Sequence, residues 1–239
     1  KDPFIGLSHR GNSKKFIENS FEAFNSVIQM GYKYIETDLR MTLDGEVIAF
    51  HDPDLKRLFN LDLLVKDLTF NEIANLFREK NCRLLSLEDA LKEFPDVHFN
   101  IDLKVKEVIQ QSIKIVANLN AFDRVCFASF HSRHTEKVLQ HNQNAIVSMS
   151  MKDVALFKFF KLYDENIKVM QIPLKWKGIK VFTTNLMQKA DKSNLLVHVW
   201  TINDRNTINK LIDIGVNGII TDEPELLMEI MKGRNLIPY

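Results

Sequence analysis

The feature that most restricts what this chain can fold into is an alternation along its whole length. Short apolar runs rich in β-forming residues recur, and segments with helical apolar spacing separate them. Strands are read at residues 4–9, 34–39, 98–104, 124–129, 145–150, 168–172, 196–201 and 217–221, the signature of repeated βα units around a parallel sheet. A ninth run, Val47 to Phe50, follows the second strand across Leu43-Asp44-Gly45-Glu46, far too short a link for a parallel crossover. Asp-Gly is a hairpin signal, so this run is expected to fold back antiparallel beside the second strand.

Helices fill the gaps. Phe21, Phe24 and Ile28 share one face of a segment at 20–30, with Asn19 and Glu22 read as a capping box and Gly31 as the stop. Asp204 is placed to cap 205–214 before Gly215, and Glu223 to cap a helix beginning at Pro224. Residues 52–95 form a long excursion over one mouth, with helical signals at 69–78 and 86–94. The expectation is one α/β domain over residues 1–239, a (β/α)8 TIM barrel with a hairpin and helical excursion after strand 2. An open doubly wound sheet is the alternative.

Charge narrows the partners. Thirty-two Lys and Arg face 31 Asp and Glu, giving a net charge of +1, and no block of five or six like charges occurs. That argues against nucleic acid or an anionic membrane held by bulk electrostatics, leaving local charge open. No stretch is long and apolar enough to span a membrane. The two cysteines, Cys82 and Cys126, have no metal or redox spacing and read as free thiols of a reducing compartment. With no signal-peptide core in KDPFIGLSHR, the chain is expected to be cytoplasmic, although a start at Lys1 leaves room for a removed leader. Oligomeric state stays open.

In a βα barrel the site is built at the C-terminal strand ends, where His9, Arg10, Glu36, Asp38, Asp102 and Lys104 fall, with His51 and Asp52 ending the antiparallel return. Alternation puts Glu36 and Asp38 on one face, and likewise Asn100, Asp102 and Lys104. Three carboxylates converging without a counter-charge repel one another and are desolvated, a problem that a divalent cation removes. All-oxygen ligation points to one Mg²⁺ or Ca²⁺. Two histidines at one mouth beside Arg10 and Lys104 suit proton transfer during displacement at phosphorus. The other histidines (His98, His131, His134, His141 and His198) read as structural. Trp200, and less strongly Phe130, are candidates to line the mouth.

These residues resemble a known signature. His9-Arg10-Gly11, Glu18-Asn19-Ser20, Ile35-Glu36-Thr37-Asp38, Thr42-Leu43-Asp44-Gly45, His51-Asp52, Ile101-Asp102-Leu103-Lys104, Ser129-Phe130, Val199-Trp200-Thr201-Ile202-Asn203 and Gly218 to Pro224 are similar, in order, to the glycerophosphodiester phosphodiesterase family. The resemblance implies hydrolysis of a small glycerophosphodiester to sn-glycerol 3-phosphate and an alcohol with a divalent cation. It also implies that His9 and His51 are the acid/base pair and Glu36 and Asp38 metal ligands. Arg10, Lys104 and Trp200 then contact substrate, and Glu18 supports the site from behind. Asp102 stands where the family usually has Glu, so it ligates directly or through water. Two alternatives accompany this reading. One is lysophospholipase D-like action on lipid substrates, with Phe59, Leu61, Leu63 and Leu64 as an apolar rim; the other is a catalytically silent barrel that binds a phosphorylated ligand.

Overall fold

The computed structural model describes residues 3–236. Its elements in chain order are β1 (Ile5–His9), α1 (Phe21–Gln29), β2 (Tyr34–Met41), β3 (Val47–Ala49), α2 (Lys56–Phe59), a 3₁₀ turn (Val65–Asp67), α3 (Phe70–Glu79), α4 (Leu87–Glu93), β4 (His98–Leu103), α5 (Val108–Asn118), β5 (Val125–Ala128) and α6 (Ser132–His141). There follow β6 (Ile146–Val147), α7 (Met151–Phe160), β7 (Val169–Pro173), β8 (Lys175–Trp176), β9 (Ile179–Lys180), α8 (Thr184–Asp191), β10 (Leu196–Trp200), α9 (Arg205–Ile214), β11 (Gly218–Thr221) and α10 (Pro224–Gly233).

Eight of the strands pair in parallel in the order β6-β5-β4-β2-β1-β11-β10-β7. A parallel bridge between Ser148 and Val169 brings the two ends together, so the sheet is a nearly closed barrel and the doubly wound alternative falls. β3 pairs antiparallel with β2, Leu39 opposite Ala49, as the Asp-Gly turn predicts.

The outward strand faces supply the main core. Ile35, Leu39, Phe99, Ile101, Val197, Val199 and Ile219 are buried against helices, whereas the inward residues Ser8, Glu36, Asp38, Asn100, Asp102 and His198 are buried and polar. Period-two alternation thus sorts apolar side chains into the helix layer and chemistry into the lumen. The excursion has its own small core of Ile48, Phe50, Leu55, Val65, Ile73 and Phe77, onto which Phe59 and Leu61 pack. Those two are therefore unavailable as a rim, while Leu63 and Leu64 remain exposed.

Helix termini follow the sequence with two corrections. Ser20, not Asn19, caps α1, accepting a hydrogen bond from the Ala23 amide; Asn19 is instead held at φ 60°, where its side chain serves the site. Glu223 precedes Pro224 without a side-chain cap bond. Asp204 does cap α9, and Gly215 ends it in the left-handed region. Trp176 and its neighbours form a β8–β9 hairpin that the strand reading did not include. No helix among the described residues is long and apolar enough to cross a membrane.

Candidate active site

The C-terminal strand ends surround a cleft of about 320 Å³, lined by His9, Arg10, Glu36, Asp38, His51, Asp102, Lys104 and Trp200 among others. Every catalytic, metal and substrate candidate except Glu18 lies on its wall. Gly11 allows the first strand to turn sharply here: it sits at φ 76°, and a Cβ would stand 2.6 Å from the Ala23 backbone.

Each of the two cleft histidines is held by a carboxylate at Nδ1. His9 Nδ1 lies 2.5 Å from Asp222 Oδ1, at the end of β11, and His51 Nδ1 lies 2.7 Å from Asp52 Oδ1. This fixes both rings and leaves Nε2 as the nitrogen free to exchange a proton. Burial alone would lower the His9 pKa, but the Glu36 charge and the hydrogen bond to Asp222 raise it above the ordinary histidine value. At His51 burial prevails, aided by the nearby charges of Arg10 and Lys104, and the pKa is lowered.

A web of charge holds the floor. Lys104 Nζ lies 2.9 Å from Asp38 Oδ1 and 2.6 Å from Asp102 Oδ2, two residues that register opposite each other on β2 and β4. Arg10 approaches Asp38 Oδ2 at 3.0 Å without the alignment of a hydrogen bond, and donates from Nη1 to Glu18 at 3.0 Å. Asn19 donates to Asp38 at 3.4 Å and accepts from Thr37 at 2.8 Å, which explains its strained backbone. Despite burial, the charges of Lys104 and Arg10 hold the Asp38 carboxyl below the usual range. Asp102 is shifted the other way, because burial outweighs Lys104.

Glu36 is left over. Its Oε2 is buried with no hydrogen-bond partner, 3.6 Å from His9 Nε2. Burial and the Asp38 charge push its carboxyl up to about 8. An orphaned oxygen beside two further carboxylates is a donor set that fits a hard cation. Among the described residues no three His, Cys, Asp or Glu side chains stand at ligand spacing in this structure; Arg10 and Lys104 lie against Asp38, and Lys104 also against Asp102.

Several contributors were not assigned roles from sequence. Asp52 and Asp222 lay inside recognised motifs, and only the folded geometry shows them behind the histidines. Arg57, in α2, donates to both Glu18 oxygens at 2.6 and 2.8 Å and to Asp52 at 2.6 Å, tying the excursion to the site. At the mouth Trp200, Phe130 and Trp176 form a mutual cluster with ring centroids 5.4 to 6.1 Å apart. Of the remaining histidines, His98 stacks on Tyr34, His141 stacks on Phe122, and Ser129 and the Leu103 carbonyl meet His134.

A parallel barrel whose C-terminal mouth carries two carboxylate-backed histidines above buried acids and cations defines a hydrolase-type site for a phosphorylated substrate. The chain belongs to the glycerophosphoryl diester phosphodiesterase family, whose sequence model matches residues 9–226 and whose members are hydrolases. It is 27% identical to the probable glycerophosphodiester phosphodiesterase 2 of Mycobacterium tuberculosis over 96% of this chain and 91% of that one. The fold is similar to the glycerophosphodiester phosphodiesterase of Thermotoga maritima, with a TM-score of 0.78, 25% identity, and 96% and 99% of the two chains covered. It is also similar to an Oleispira antarctica phosphodiesterase solved with the product sn-glycerol-3-phosphate, with a TM-score of 0.79, 18% identity, and 96% and 97% covered.

Proposed function

We propose that this chain hydrolyses glycerophosphodiesters to sn-glycerol 3-phosphate and an alcohol, using a divalent cation and the His9/His51 pair. The observation that carries the reading is the matched pair of imidazoles, each anchored at Nδ1 by a carboxylate and turned to one cleft beside Glu36. One Nε2 takes a proton from the nucleophile and the other gives one to the leaving alcohol oxygen, a contribution of about 10² to 10⁴ in rate for each. Arg10 and Lys104 offer cationic donors to the phosphoryl oxygens from positions fixed by Asp38, Glu18 and Asp102. The product seen in the Oleispira antarctica relative is the one expected here.

Glu36 and Asp38 would hold the cation, with Asp102 completing the set directly or through water; when bound, the ion supplies positive charge that polarises the phosphoryl oxygen. Mg²⁺ is expected to serve at least as well as Ca²⁺, because the shorter Asp102 leaves room for the water that Mg²⁺ retains. Full activity after exhaustive chelation would remove the metal from this account.

The aromatic cluster of Trp200, Phe130 and Trp176 at the mouth favours a second substrate class, lysophospholipids, whose glycerol phosphodiester is the same and whose apolar portion those rings would cover. A product assay with glycerophosphocholine and lysophosphatidylcholine, each with and without Mg²⁺ or Ca²⁺, ranks the two.

A further inference from the structure

α7 breaks the usual pattern of a barrel helix. Its inner face buries Val154 and Phe157, yet its last two residues, Phe159 and Phe160, are 69% and 68% exposed, and Leu162 just beyond is 61% exposed. Large apolar side chains left exposed together at a helix end are expected to meet a partner. The β8–β9 hairpin continues this surface. Lys158 Nζ lies 5.8 Å from the Phe159 ring centroid and donates to the Lys180 carbonyl at 2.7 Å. Next to Lys180, Ile179 is 69% exposed, and its cross-strand partner Trp176 lines the active-site cleft. Lys158 thus ties the exposed outer end of α7 to the hairpin, and Trp176 carries the hairpin to the mouth.

This surface is basic. Between residues 152 and 180 stand Lys152, Lys158, Lys161, Lys168, Lys175, Lys177 and Lys180 against Asp153, Asp164 and Glu165, a local excess of four positive charges in a chain whose net charge is +1. Asp153 is engaged in capping α7. These lysines are spread over the segment and form no run in the sequence; all but Lys158 are exposed.

We propose that this face docks on an anionic lipid surface, with Phe159, Phe160, Leu162 and Ile179 entering the interfacial region and the lysines meeting lipid headgroups. The charge selects the occupant. A second copy joined through the same face would set lysines against lysines, whereas an anionic bilayer matches them. Exposed aromatics flanked by lysine are the side chains that partition to a membrane interface. Docked this way, Trp176 puts the cleft beside the lipid. The inference goes beyond the proposed reaction and holds for either substrate class.

The test is cosedimentation of the full chain with vesicles of phosphatidylcholine alone or with phosphatidylglycerol added, at low and high ionic strength. Binding is expected to the phosphatidylglycerol vesicles and to weaken with salt. It should fall at least about tenfold in a Lys175→Glu, Lys177→Glu variant and in a Phe159→Ser, Phe160→Ser variant. All four positions are exposed, and circular dichroism melting confirms that each variant is folded. No binding to phosphatidylglycerol vesicles, or binding that both folded variants retain, overturns the proposal. So does sedimentation velocity showing a dimer that the Phe159→Ser, Phe160→Ser variant abolishes, which would assign this face to self-association.

Discussion

His9 Nδ1 and Asp222 Oδ1 stand 2.5 Å apart although 213 positions separate them in the chain. The contact joins the ends of β1 and β11, neighbouring strands that register Ser8 opposite Thr221. Asn203 donates to the other Asp222 oxygen at 2.8 Å, so the carboxylate is itself oriented. Asp222→Asn removes a charge that raises the His9 pKa, and the His9 pKa should therefore fall. NMR titration of the His9 ring checks this directly. The limb of the pH–rate profile belonging to His9 should move to lower pH while the His51 limb stays, with kcat/KM reduced by roughly 10 to 100-fold.

With one histidine acting as base and the other as acid, His9→Ala and His51→Ala should each cost at least about a hundredfold in kcat/KM, and the double variant much less than the product of the two losses. Steady-state kinetics of the three variants measure it. Near-normal kcat without His51 would reduce that residue to structure.

Arg57 is half-exposed yet holds two groups of the site, with Nη1 and Nη2 on Glu18 and Nε on Asp52. Arg57→Ala should lower kcat/KM by roughly tenfold by loosening Asp52 behind His51. Arg57→Lys should not restore it, since an ammonium cannot reproduce the planar fork. A lysine variant of full activity would show that charge alone suffices.

Glu36 gives a pH test of stability. Its carboxyl is pushed from 4.5 to about 8 by burial and by Asp38, so the folded state binds the proton more tightly than the unfolded chain. Its stabilising contribution is complete below pH 4.5 and is lost as the pH rises toward about 8. In the presence of a chelator, Glu36→Gln should remove that part of the slope and raise Tm at pH 8; in Mg²⁺ it should abolish turnover. Thermal melts across pH, with and without Mg²⁺, read both effects.

Asp102→Glu should retain activity, and Asp102→Asn should weaken metal affinity, because charge matters more than reach at a hard-ion site. Isothermal titration with Mg²⁺ distinguishes them. If Asp102→Asn changes neither affinity nor rate, the cation rests on Glu36 and Asp38.

What could be read from the sequence was whatever local chemistry imposes. Alternation of Glu36 and Asp38 against Ile35, Thr37 and Leu39 placed the acids in the lumen, and Asp44-Gly45 placed β3 antiparallel, because both follow from period two and turn geometry. The groups missed act across long separations. Asp222 reaches His9 around the barrel, Arg57 reaches Glu18 from an excursion helix, and Trp176 joins Trp200 through a two-residue-strand hairpin too short to leave a strand pattern. The capping error at Asn19 has a related cause: Asn is as good an N-cap as Ser, and only contacts with Thr37 and Asp38 assign it elsewhere.

The central claim is most directly tested by measuring sn-glycerol 3-phosphate released from glycerophosphocholine by the wild-type chain and by His51→Ala, in Mg²⁺, in Ca²⁺ and in chelator. Metal-dependent release by the wild type and a loss of at least about a hundredfold in the variant are expected. No release by the metal-loaded wild type from any glycerophosphodiester or lysophospholipid, or release unaffected by both chelation and the variant, would contradict the claim.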